Sequence, residues 1–376
     1  MKILEGSLRH DPRQSLDYAL LLAEKLERGG QARQASLLRS ILAKAPAQAV
    51  ARASNLTPVD EDSRIATVDV SNPRGEHHEV VLPPYTREQL ERFTQSVLAF
   101  DRLQARGLSA PNRLLLHGPP GTGKTTIARM LASQFELPLV TTRSDALVSS
   151  LLGQTSRNIR EVFDYARRSP CVLFLDEFDA LAKNRADSHE IGELQRVVIA
   201  LLENIDALGE STVLIAATNH PQLLDPAVWR RFPYKIQTEL PGHDERKSLW
   251  GAYIGDLSLT EKESDRLAAA SSGLSPAAIE SAATDIARDA VLHGSDTIEL
   301  PRAFRRLARF MRYEEFELFN DEVNEIRFLR SWAPDVFTMR VLASTFRTSA
   351  RRVGAIINGD QNARVQPDPA PSIPAE

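Results

Sequence analysis

The sequence predicts an α/β protein in which a parallel sheet carries helices on both faces. Between residues 113 and 237, short and largely apolar runs alternate with helical stretches; the runs are RLLLH, LPLV, CVLFL, TVLIAA and YKIQ. Such short apolar runs suit strands that are buried on both faces, as in parallel α/β sheets. The chain of 376 residues is 42% hydrophobic, which is enough apolar material for two or three domains.

The segments before the sheet region are predicted to be a helical bundle and a hairpin. Apolar residues at helical spacing predict the bundle over residues 1–55, and it either docks a partner or packs against the rest of the chain. RIATVDV and HEVVL alternate like strands and predict a β-hairpin connector within residues 56–84. Thr86 and Gln89 match a capping box, which predicts a helix that opens there.

The sheet region and its first helix form a predicted large α/β subdomain over residues 85–240. A small helical subdomain is expected over residues 241–315, with helices at 244–253, 259–270, 276–292 and 300–311. Residues 316–360 predict a separate module of three helices. The polar, proline-rich residues 361–376 predict a disordered tail.

Charge and cysteine content narrow the class of protein. Lys and Arg total 46 against 50 Asp and Glu, so the net charge of −4 excludes a general polycation. The single cysteine, Cys171, excludes an intramolecular disulfide and a cysteine-rich zinc site. The N-terminal residues lack the apolar segment of a signal peptide, and no run reaches the ~18 apolar residues of a membrane span. We therefore expect a cytoplasmic protein without membrane association.

A phosphate-binding loop follows the first strand of the sheet region. LLLHGPPGTGKTT fits the pattern G-x-x-x-x-G-K-[ST] and opens a helix. Glycines let backbone N–H groups surround phosphates, the lysine places a charge at the β- and γ-phosphates, and the threonine hydroxyl can ligate Mg²⁺. The predicted contacts to ATP and Mg²⁺ come from Gly118, Pro119, Pro120, Gly121, Thr122, Gly123, Lys124, Thr125 and Thr126.

Polar residues also follow two further predicted strands. CVLFL leads into Asp176, which is placed to hold Mg²⁺, and Glu177, which is placed to polarise an attacking water. TVLIAA leads towards Asn219, whose amide can orient that water or touch the γ-phosphate. Asp179 lies nearby, and a local structural role suits it at least as well as a catalytic one.

Four motifs occur along the chain in this order: GPPGTGKT, LFLDEFDAL, AATN and LDPAVWRRF. With these motifs, residues 85–311 resemble the AAA family of P-loop ATPases. The stretch from DEFDAL to WRRF is similar to a bacterial group paired with subtilisin-like proteases, and its Arg-Arg pair is similar to that of katanin and spastin. The resemblance implies a ring, usually a hexamer, with each nucleotide between two subunits. Arg230 and Arg231 are then expected to reach a neighbour's γ-phosphate. The alternative is a salt bridge within one subunit.

Two positions depart from the family pattern. VSSLLGQTS has Leu151, Leu152 and Gly153 where the family's pore loop carries an aromatic residue, an apolar residue and glycine. Leucines can contact a polypeptide without an aromatic ring to grip it, and packing of Leu152 in the core is the alternative. Ser275 and Pro276 stand where many AAA+ relatives carry a sensor arginine. Hydrolysis is therefore expected to rely on Asn219 and on the two arginines, Arg230 and Arg231.

The segment FTMRVLASTFRTSARRVGAIING resembles a helix-turn-helix. Ser349 is placed to cap the second helix, and Arg347 replaces the usual turn glycine, at a cost on the order of 1 kcal/mol if the turn requires positive φ. Arg351 and Arg352 open the second helix, where DNA-binding modules contact phosphates and the major groove. DNA binding, protein docking and simple packing all stay open for this segment.

The combined patterns predict a Mg²⁺-dependent ATPase that forms a ring and remodels a bound macromolecule, with a protein as the first choice of partner. Two alternatives stay open: a nucleotide-switched DNA-binding regulator, and an ATPase that controls a partner protease through its N-terminal helices. Stimulation of turnover by a protein rather than by duplex DNA separates the first interpretation from the second.

Overall fold

The computed structural model describes residues 67–73, 80–108, 110–143, 152–182 and 191–359. Its strands are β1 (Val68–Ser71), β2 (Arg113–His117), β3 (Leu139–Thr142), β4 (Cys171–Leu175), β5 (Thr212–Thr218) and β6 (Tyr234–Gln237). They form one six-stranded sheet in the order β1-β3-β4-β5-β2-β6. Neighbours among β2 to β6 pair in parallel, whereas β1 is antiparallel to β3. The predicted α/β class with a mostly parallel sheet is confirmed.

Helices cover both faces of the sheet. They are α1 (Pro84–Leu98), α2 (Phe100–Gln104), α3 (Lys124–Gln134), α4 (Leu152–Arg167), α5 (Asp179–Ala182), α6 (Ile191–Asp206) and α7 (Pro226–Trp229). Successive strand residues face opposite sides, so Leu115 joins a core with Phe163 of α4, and Leu114 joins a second core with Leu131 of α3. Every residue of β4 and β5 is buried. This burial explains why their sequences are continuous apolar runs.

The register of the parallel strands brings three chain segments to one edge of the sheet. His117, the last residue of β2, is opposite Thr218, the last residue of β5. Leu175, the last residue of β4, is opposite Ala216 of the same β5 strand. The loops that leave β2, β4 and β5 therefore begin next to one another, and the polar residues predicted from the sequence lie on these loops.

The predicted hairpin before the sheet is not formed by the described residues. Val68–Ser71 is a strand, as the alternation of RIATVDV predicts, but it pairs with β3, with Val68 opposite Thr142. Residues 80–82, the end of the HEVVL run, carry no strand. The sequence of this strand determines how its side chains alternate but not the strand with which it pairs. Here it pairs with β3 at the edge of the large sheet.

The first helix begins before the predicted capping box. Helix α1 begins at Pro84, with Pro83 at its N-cap and no side-chain hydrogen bond to the cap. Proline suits the first turn because its missing N–H would have no helical partner there. Thr86 is a buried residue inside the helix, so the capping-box prediction is wrong.

The chain after the sheet is helical. Its helices are α8 (His243–Tyr253), α9 (Glu261–Ala270), α10 (Pro276–Leu292), α11 (Leu300–Met311), α12 (Phe316–Asn320), α13 (Glu322–Trp332), α14 (Met339–Thr345) and α15 (Ala350–Ile357). The bounds of α8 to α11 agree closely with the four helices predicted for residues 241–315. Helices α13 to α15 are the three predicted for the C-terminal module.

The two predicted helical units share one hydrophobic core. Trp250 and Phe304 of the first unit belong to the same buried cluster as Leu342, Val353 and Ile356 of the second. The predicted boundary between residues 315 and 316 therefore does not separate two independently packed modules. We call α8 to α15 together the helical unit.

Several predictions from the sequence lie outside the described residues. They are the N-terminal bundle of residues 1–55, part of the connector of residues 56–84, and the tail of residues 361–376. In the part of the chain that the structure describes, no helix is both long enough and apolar enough to cross a membrane.

Candidate functional site

The glycine-rich loop between β2 and α3 has the backbone that its sequence predicts. Gly118, Gly121 and Gly123 have φ values of 149°, 73° and 88°. L-residues rarely adopt such angles, which explains the three glycines. At Gly118 the neighbouring chain imposes a second constraint, since an added Cβ would lie 2.0 Å from the carbonyl oxygen of Thr238. The loop is therefore held against the residue that follows β6.

Lys124 lies over this loop. Its side chain donates hydrogen bonds to the carbonyl oxygens of Gly118 and Pro119, each at 2.8 Å. Burial lowers the pKa of Lys124, and the charges of Asp176 and Asp179 oppose that change. The ammonium group is therefore held at the mouth of the loop by carbonyl oxygens that a phosphate can replace.

Thr125 and Asp176 meet where α3 begins and β4 ends. The Thr125 hydroxyl donates to Oδ2 of Asp176 at 3.0 Å. The other carboxylate oxygen, Oδ1, accepts the backbone N–H of Glu177 at 2.9 Å. A hydroxyl and a carboxylate at this distance are hard oxygen ligands, which is the donor set that Mg²⁺ prefers. Both predicted metal ligands therefore lie together.

Glu177 is in a strained backbone conformation. Its φ of 49° places a non-glycine residue in the left-handed region. The backbone N–H of the next residue, Phe178, donates to the carbonyl of Ala217 in β5 at 2.8 Å, which ties this turn to the sheet. The Glu177 side chain is exposed towards the site. Strain of this kind is retained where the position of a side chain matters for function.

Asn219 carries an unsatisfied polar atom. The carbonyl oxygen of its side-chain amide is buried and has no hydrogen-bond partner in the structure. The preceding residue, Thr218, donates to Oδ1 of Asp179 at 2.6 Å, and its hydroxyl also accepts the backbone N–H of His220 at 2.9 Å. Asp179 thus fixes the strand end on which Asn219 lies, which agrees with the structural role considered for it.

These side chains surround one cavity of about 520 Å³. Its lining also includes residues that the sequence did not predict: Thr141 and Thr142 at the end of β3, Arg143 after it, and Tyr253, Pro276, Ala277 and Glu280 of the helical unit. The unit is attached to the loop directly, because the backbone N–H of Ala277 donates to the carbonyl of Gly121 at 3.1 Å.

Tyr253 and Glu280 make the wall that the helical unit contributes. Burial, and then the charge of Glu280, raise the pKa of Tyr253. Ser275 caps α10, since its side chain accepts the N–H of Ala278, and it supplies no positive charge at that wall. No local pattern marks Tyr253 or Glu280, because their place in the cavity depends on how the helical unit packs against the loop. Arg143 follows β3 directly, and extending LPLV by three residues would have found it.

The residues around the cavity fit a nucleoside triphosphate with Mg²⁺. The loop has the left-handed glycines, the lysine and the following helix that bind phosphates. Thr125 and Asp176 provide oxygen ligands, and the buried side-chain oxygen of Asn219, which has no donor in the described chain, is available to accept a hydrogen bond. In the described residues no group of three or more His, Cys, Asp or Glu could hold a metal by itself. A Mg²⁺ ion here would depend on phosphate oxygens for its other ligands.

The two arginines after α7 have different surroundings. Arg231 donates to Oδ2 of Asp206 at 3.1 Å and to the carbonyl of Ala227 at 3.0 Å. Arg230 is exposed and, within the described chain, its side chain makes no hydrogen bond or ion pair. Neither of them lines the cavity of its own chain. The salt bridge considered from the sequence therefore exists for Arg231 but not for Arg230.

An aromatic contact connects this arginine loop to the phosphate loop. The ring of Trp229, the residue before Arg230, packs on His117 with ring centroids 5.4 Å apart. His117 is the residue before Gly118. Burial, and then the charge of Lys124, lower the pKa of His117. Neither ring was singled out from the sequence.

The predicted pore-loop residues are only partly described. Leu151 lies outside the described residues, and helix α4 begins at Leu152, followed by Gly153. Arg351 and Arg352 lie in the first turn of α15, which Ser349 caps, as predicted. Both are far along the chain from the cavity, and neither lines it.

Comparison with known proteins identifies the family to which this fold corresponds. The sheet, the phosphate loop and the acidic strand end define a P-loop protein. Residues 114–240 match the model of the ATPase family associated with various cellular activities (AAA). A crystal structure of the FIGL-1 AAA domain in complex with ADP is 25% identical, with a TM-score of 0.50 over 62% of this chain and 78% of that chain. The chain therefore contains an AAA-family ATPase domain.

Curated relatives extend the match. An uncharacterized AAA family ATPase, y4kL, of Sinorhizobium fredii is 39% identical over 55% of this chain and 63% of its own length. Proteasome-activating nucleotidase 2 of Halobacterium salinarum is 31% identical over 64% of this chain and 58% of its own length. The ATP-dependent zinc metalloprotease FtsH 3 of Sphaerobacter thermophilus is 31% identical over 72% of this chain and 56% of its own length. The chain thus spans less than two thirds of each of these relatives.

Proposed function

We propose that this protein is a Mg²⁺-dependent ATPase that works as a ring and remodels a protein. The observation that carries the proposal is the meeting of five side chains around one cavity at one edge of the sheet: Lys124, Thr125, Asp176, Glu177 and Asn219. They lie on three chain segments: Lys124 and Thr125 begin α3, Asp176 and Glu177 follow β4, and Asn219 follows β5. Their chemistry covers phosphate binding, metal ligation and activation of water.

The residues of one chain have separate tasks in hydrolysis. Lys124 exchanges its two carbonyl acceptors for the β- and γ-phosphate oxygens. Thr125 and Asp176 would hold Mg²⁺, which when bound neutralises charge on the phosphates. Glu177 accepts a proton from the attacking water as general base. The free amide oxygen of Asn219 accepts the second hydrogen bond of that water and so orients it.

We assign the remaining catalytic charge to a neighbouring chain. Arg230 is exposed, lacks a partner among the described residues and is absent from the cavity of its own chain. An arginine in that situation suits a phosphate on another subunit, because it is always charged and can bind in a bidentate manner. Arg231 is already paired with Asp206, so we assign it the task of holding the loop. A ring of six copies is the assembly that the family resemblance favours.

Mixing two inactive variants tests whether Arg230 acts in trans. Arg230→Ala and Glu177→Gln should each bind ATP and hydrolyse it poorly. In a ring that assembles at random from equal amounts, about one quarter of the sites would combine an intact Glu177 with an intact neighbouring Arg230. Turnover should therefore return on mixing. The matched control mixes Arg230→Ala with the double variant Arg230→Ala/Glu177→Gln, which should restore nothing.

The same experiment can contradict the ring. If both arginine and base act within one chain, every chain in the mixture carries one defect, and mixing restores no turnover. Activity that is independent of protein concentration would point the same way. Arg231→Ala should lower turnover less than Arg230→Ala, because its guanidinium is already occupied by Asp206.

A protein substrate is supported by the names of the relatives, which include proteasome-activating nucleotidases and an ATP-dependent metalloprotease. We therefore propose a protein substrate or a partner protease, with Leu151, Leu152 and Gly153 facing the substrate. Capture on Glu177→Gln, which should hold ATP without releasing its partner, followed by mass spectrometry, tests this. Recovery of nucleic acid without protein would contradict it.

A further inference from the structure

The turn between α14 and α15 retains an energetically unfavourable residue. Arg347 has a φ of 50°, where glycine would carry no steric cost. Among non-glycine residues of the described chain, only Glu136, Glu177 and Arg347 have positive φ. Glu177 is the general base of the proposed mechanism. Arg347 is exposed and bonds to no other side chain in the described chain, so folding alone does not account for arginine here. An outlier of this kind points to a function of the side chain.

The charged side chains of the segment that contains Arg347 are all positive. Residues 337–359 contain four arginines and no aspartate or glutamate, in a chain whose net charge is −4. Arg340 of α14, Arg347 of the turn and Arg351 of α15 are exposed, and no guanidinium of the three has a hydrogen bond or ion pair within the described residues. We call these three residues the basic corner. Their charges are therefore available to an external anion.

Other arginines of this region are used for folding. Arg327 donates to the carbonyl of Ile356 at 2.8 Å, and Arg330 donates to the carbonyls of Pro334 and Phe337 at 2.7 and 3.1 Å. They hold the ends of the three helices and are not part of the basic corner. Arg352 is half-buried, and its Nε is buried without a hydrogen-bond partner in the structure, so we also leave it out.

The chemistry of the surface favours a nucleic acid over a protein. A docking surface for a protein helix would present large apolar side chains, and none of the exposed large apolar side chains of the described chain lies between residues 337 and 359. Leu342, Val353 and Ile356 are all fully buried in the core. Helix α15 has eight residues, about 12 Å long at 1.5 Å per residue, which is a length that the major groove accepts.

We propose that α14, α15 and the turn between them form a binding surface for duplex DNA, with Arg340, Arg347 and Arg351 contacting backbone phosphates. This surface lies on the helical unit, and none of its three arginines lines the nucleotide cavity. The proposal does not depend on the proposed ATPase function. Contacts of this type give affinity and orientation on the duplex without specifying a sequence.

Binding of the full chain to a fluorescein-labelled duplex of mixed sequence, measured by anisotropy at several salt concentrations, tests the proposal. The triple variant Arg340→Ala/Arg347→Ala/Arg351→Ala should bind at least ~10-fold more weakly near 50 mM salt. Each lost phosphate contact lowers the slope of log affinity against log salt by about 0.9, so the triple variant should lose nearly three units of slope. Deleting the segment is unsuitable, because it shares the core of the helical unit.

A second triple variant controls for net charge. Arg87, Arg102 and Arg106 are exposed arginines of the large subdomain, and replacing them with alanine changes the net charge by the same amount. This control should bind like the unaltered chain. Equal losses in the two triple variants, unchanged binding by the first, or no binding by the unaltered chain near 50 mM salt would each overturn the proposal. So would competition by poly-glutamate as strong as that by unlabelled duplex, which would indicate an acidic protein.

Arg347→Gly separates function from folding. Glycine removes the positive-φ strain, so this variant should melt at a higher temperature than the unaltered chain. If Arg347 contacts a phosphate, the same variant should bind duplex more weakly and with a smaller salt slope. Greater stability with unchanged binding would show that Arg347 is not part of the DNA-binding surface. Measuring the same binding in Lys124→Ala keeps the result independent of ATP hydrolysis.

Discussion

Glu325 offers a quantitative test of the finding that α8 to α15 form one unit. Its side chain is only 2% exposed and accepts hydrogen bonds from Arg305 at 2.6 and 2.8 Å. Arg309 adds two longer bonds at 3.2 and 3.3 Å. Glu325 lies on α13, whereas both arginines lie on α11, so the bonds cross the predicted boundary. Replacing Glu325 with alanine removes the acceptor for both arginines.

The expected loss follows from the burial of the three side chains. Removing one partner of a fully buried ion pair costs about 3–5 kcal/mol, since the other charge is left without compensation. Arg305 and Arg309 are 29% and 48% exposed, so water can solvate part of each released guanidinium. We therefore expect the lower end of that range, about 3 kcal/mol. For a unit of this size the melting temperature should fall by roughly 10 °C.

Tryptophan fluorescence during heating or urea unfolding provides the assay. Trp250 is buried in the shared core, and Trp332 of α13 packs on Phe304 of α11 with ring centroids 5.5 Å apart. Both should report the loss of Glu325. Glu261→Ala is the matched control, because Glu261 also lies in the first turn of a helix and pairs with Lys247 at 2.8 Å, but is 87% exposed. It should change the melting temperature very little.

The reasoning is refuted if Glu325→Ala melts no lower than Glu261→Ala. It is also refuted if the two tryptophans report separate transitions in the unaltered chain, because a shared core requires that they unfold together. Retained activity of Glu325→Ala below its melting temperature would show that the pair stabilises the fold without taking part in hydrolysis.

Two substitutions and one labelling experiment test the site and the core. Lys124→Ala should abolish binding of a fluorescent ATP analogue, because the charge facing the β- and γ-phosphates is lost; binding at unaltered affinity would contradict its assignment. Glu177→Gln should bind the same analogue normally and turn over ATP at least ~100-fold more slowly, and normal turnover would show that the base is another residue. Burial raises the pKa of Cys171 to about 12, so iodoacetamide at pH 8 should label it only after unfolding in urea; rapid labelling of the folded chain would mean that β4 opens.

The sheet could be predicted from the sequence because its central strands β4 and β5 are buried on both faces and their neighbours are also short apolar runs. Strands β2, β4 and β6 agree residue for residue with RLLLH, CVLFL and YKIQ. Helix caps with a hydrogen-bonding side chain were also predictable, and the Ser349 hydroxyl oxygen accepts the backbone N–H of Arg352 as expected. The positive φ at Arg347 followed from its place in the turn. Each of these features is set by neighbours within a few residues.

Features that depend on distant contacts were not predictable in this way. The alternation around Val68 fits an edge strand of the large sheet as well as a hairpin, and only the position of β3 decides between them. The sequence predicts a boundary at residue 315, where one group of helices ends and another begins. Phe304 and Ile356 nevertheless lie in one core across that boundary. Apolar periodicity shows that a face is buried and does not show against which helix.

The candidate site contains both kinds of feature: residues whose position follows from the local sequence, and residues whose position depends on distant contacts. The phosphate loop, Asp176, Glu177 and Asn219 follow strands directly, so a parallel sheet brings them together at one edge. Tyr253 and Glu280 reach the cavity only because Ala277 bonds to Gly121, which no motif encodes. The different surroundings of Arg230 and Arg231 could not be predicted either, because Asp206, the partner of Arg231, lies at the end of α6 and is distant in sequence.

Arg230 and the phosphate loop are connected within one chain although we propose that they serve different nucleotides. Trp229, which precedes Arg230, packs on His117, which precedes Gly118, the first carbonyl that Lys124 contacts. The loop that carries Arg230 is therefore in contact with the residue that precedes the chain's own phosphate loop. In a ring of the kind that we propose, each chain would present Arg230 to a neighbour's nucleotide, while Trp229 and His117 connect the same arginine loop to the chain's own phosphate loop.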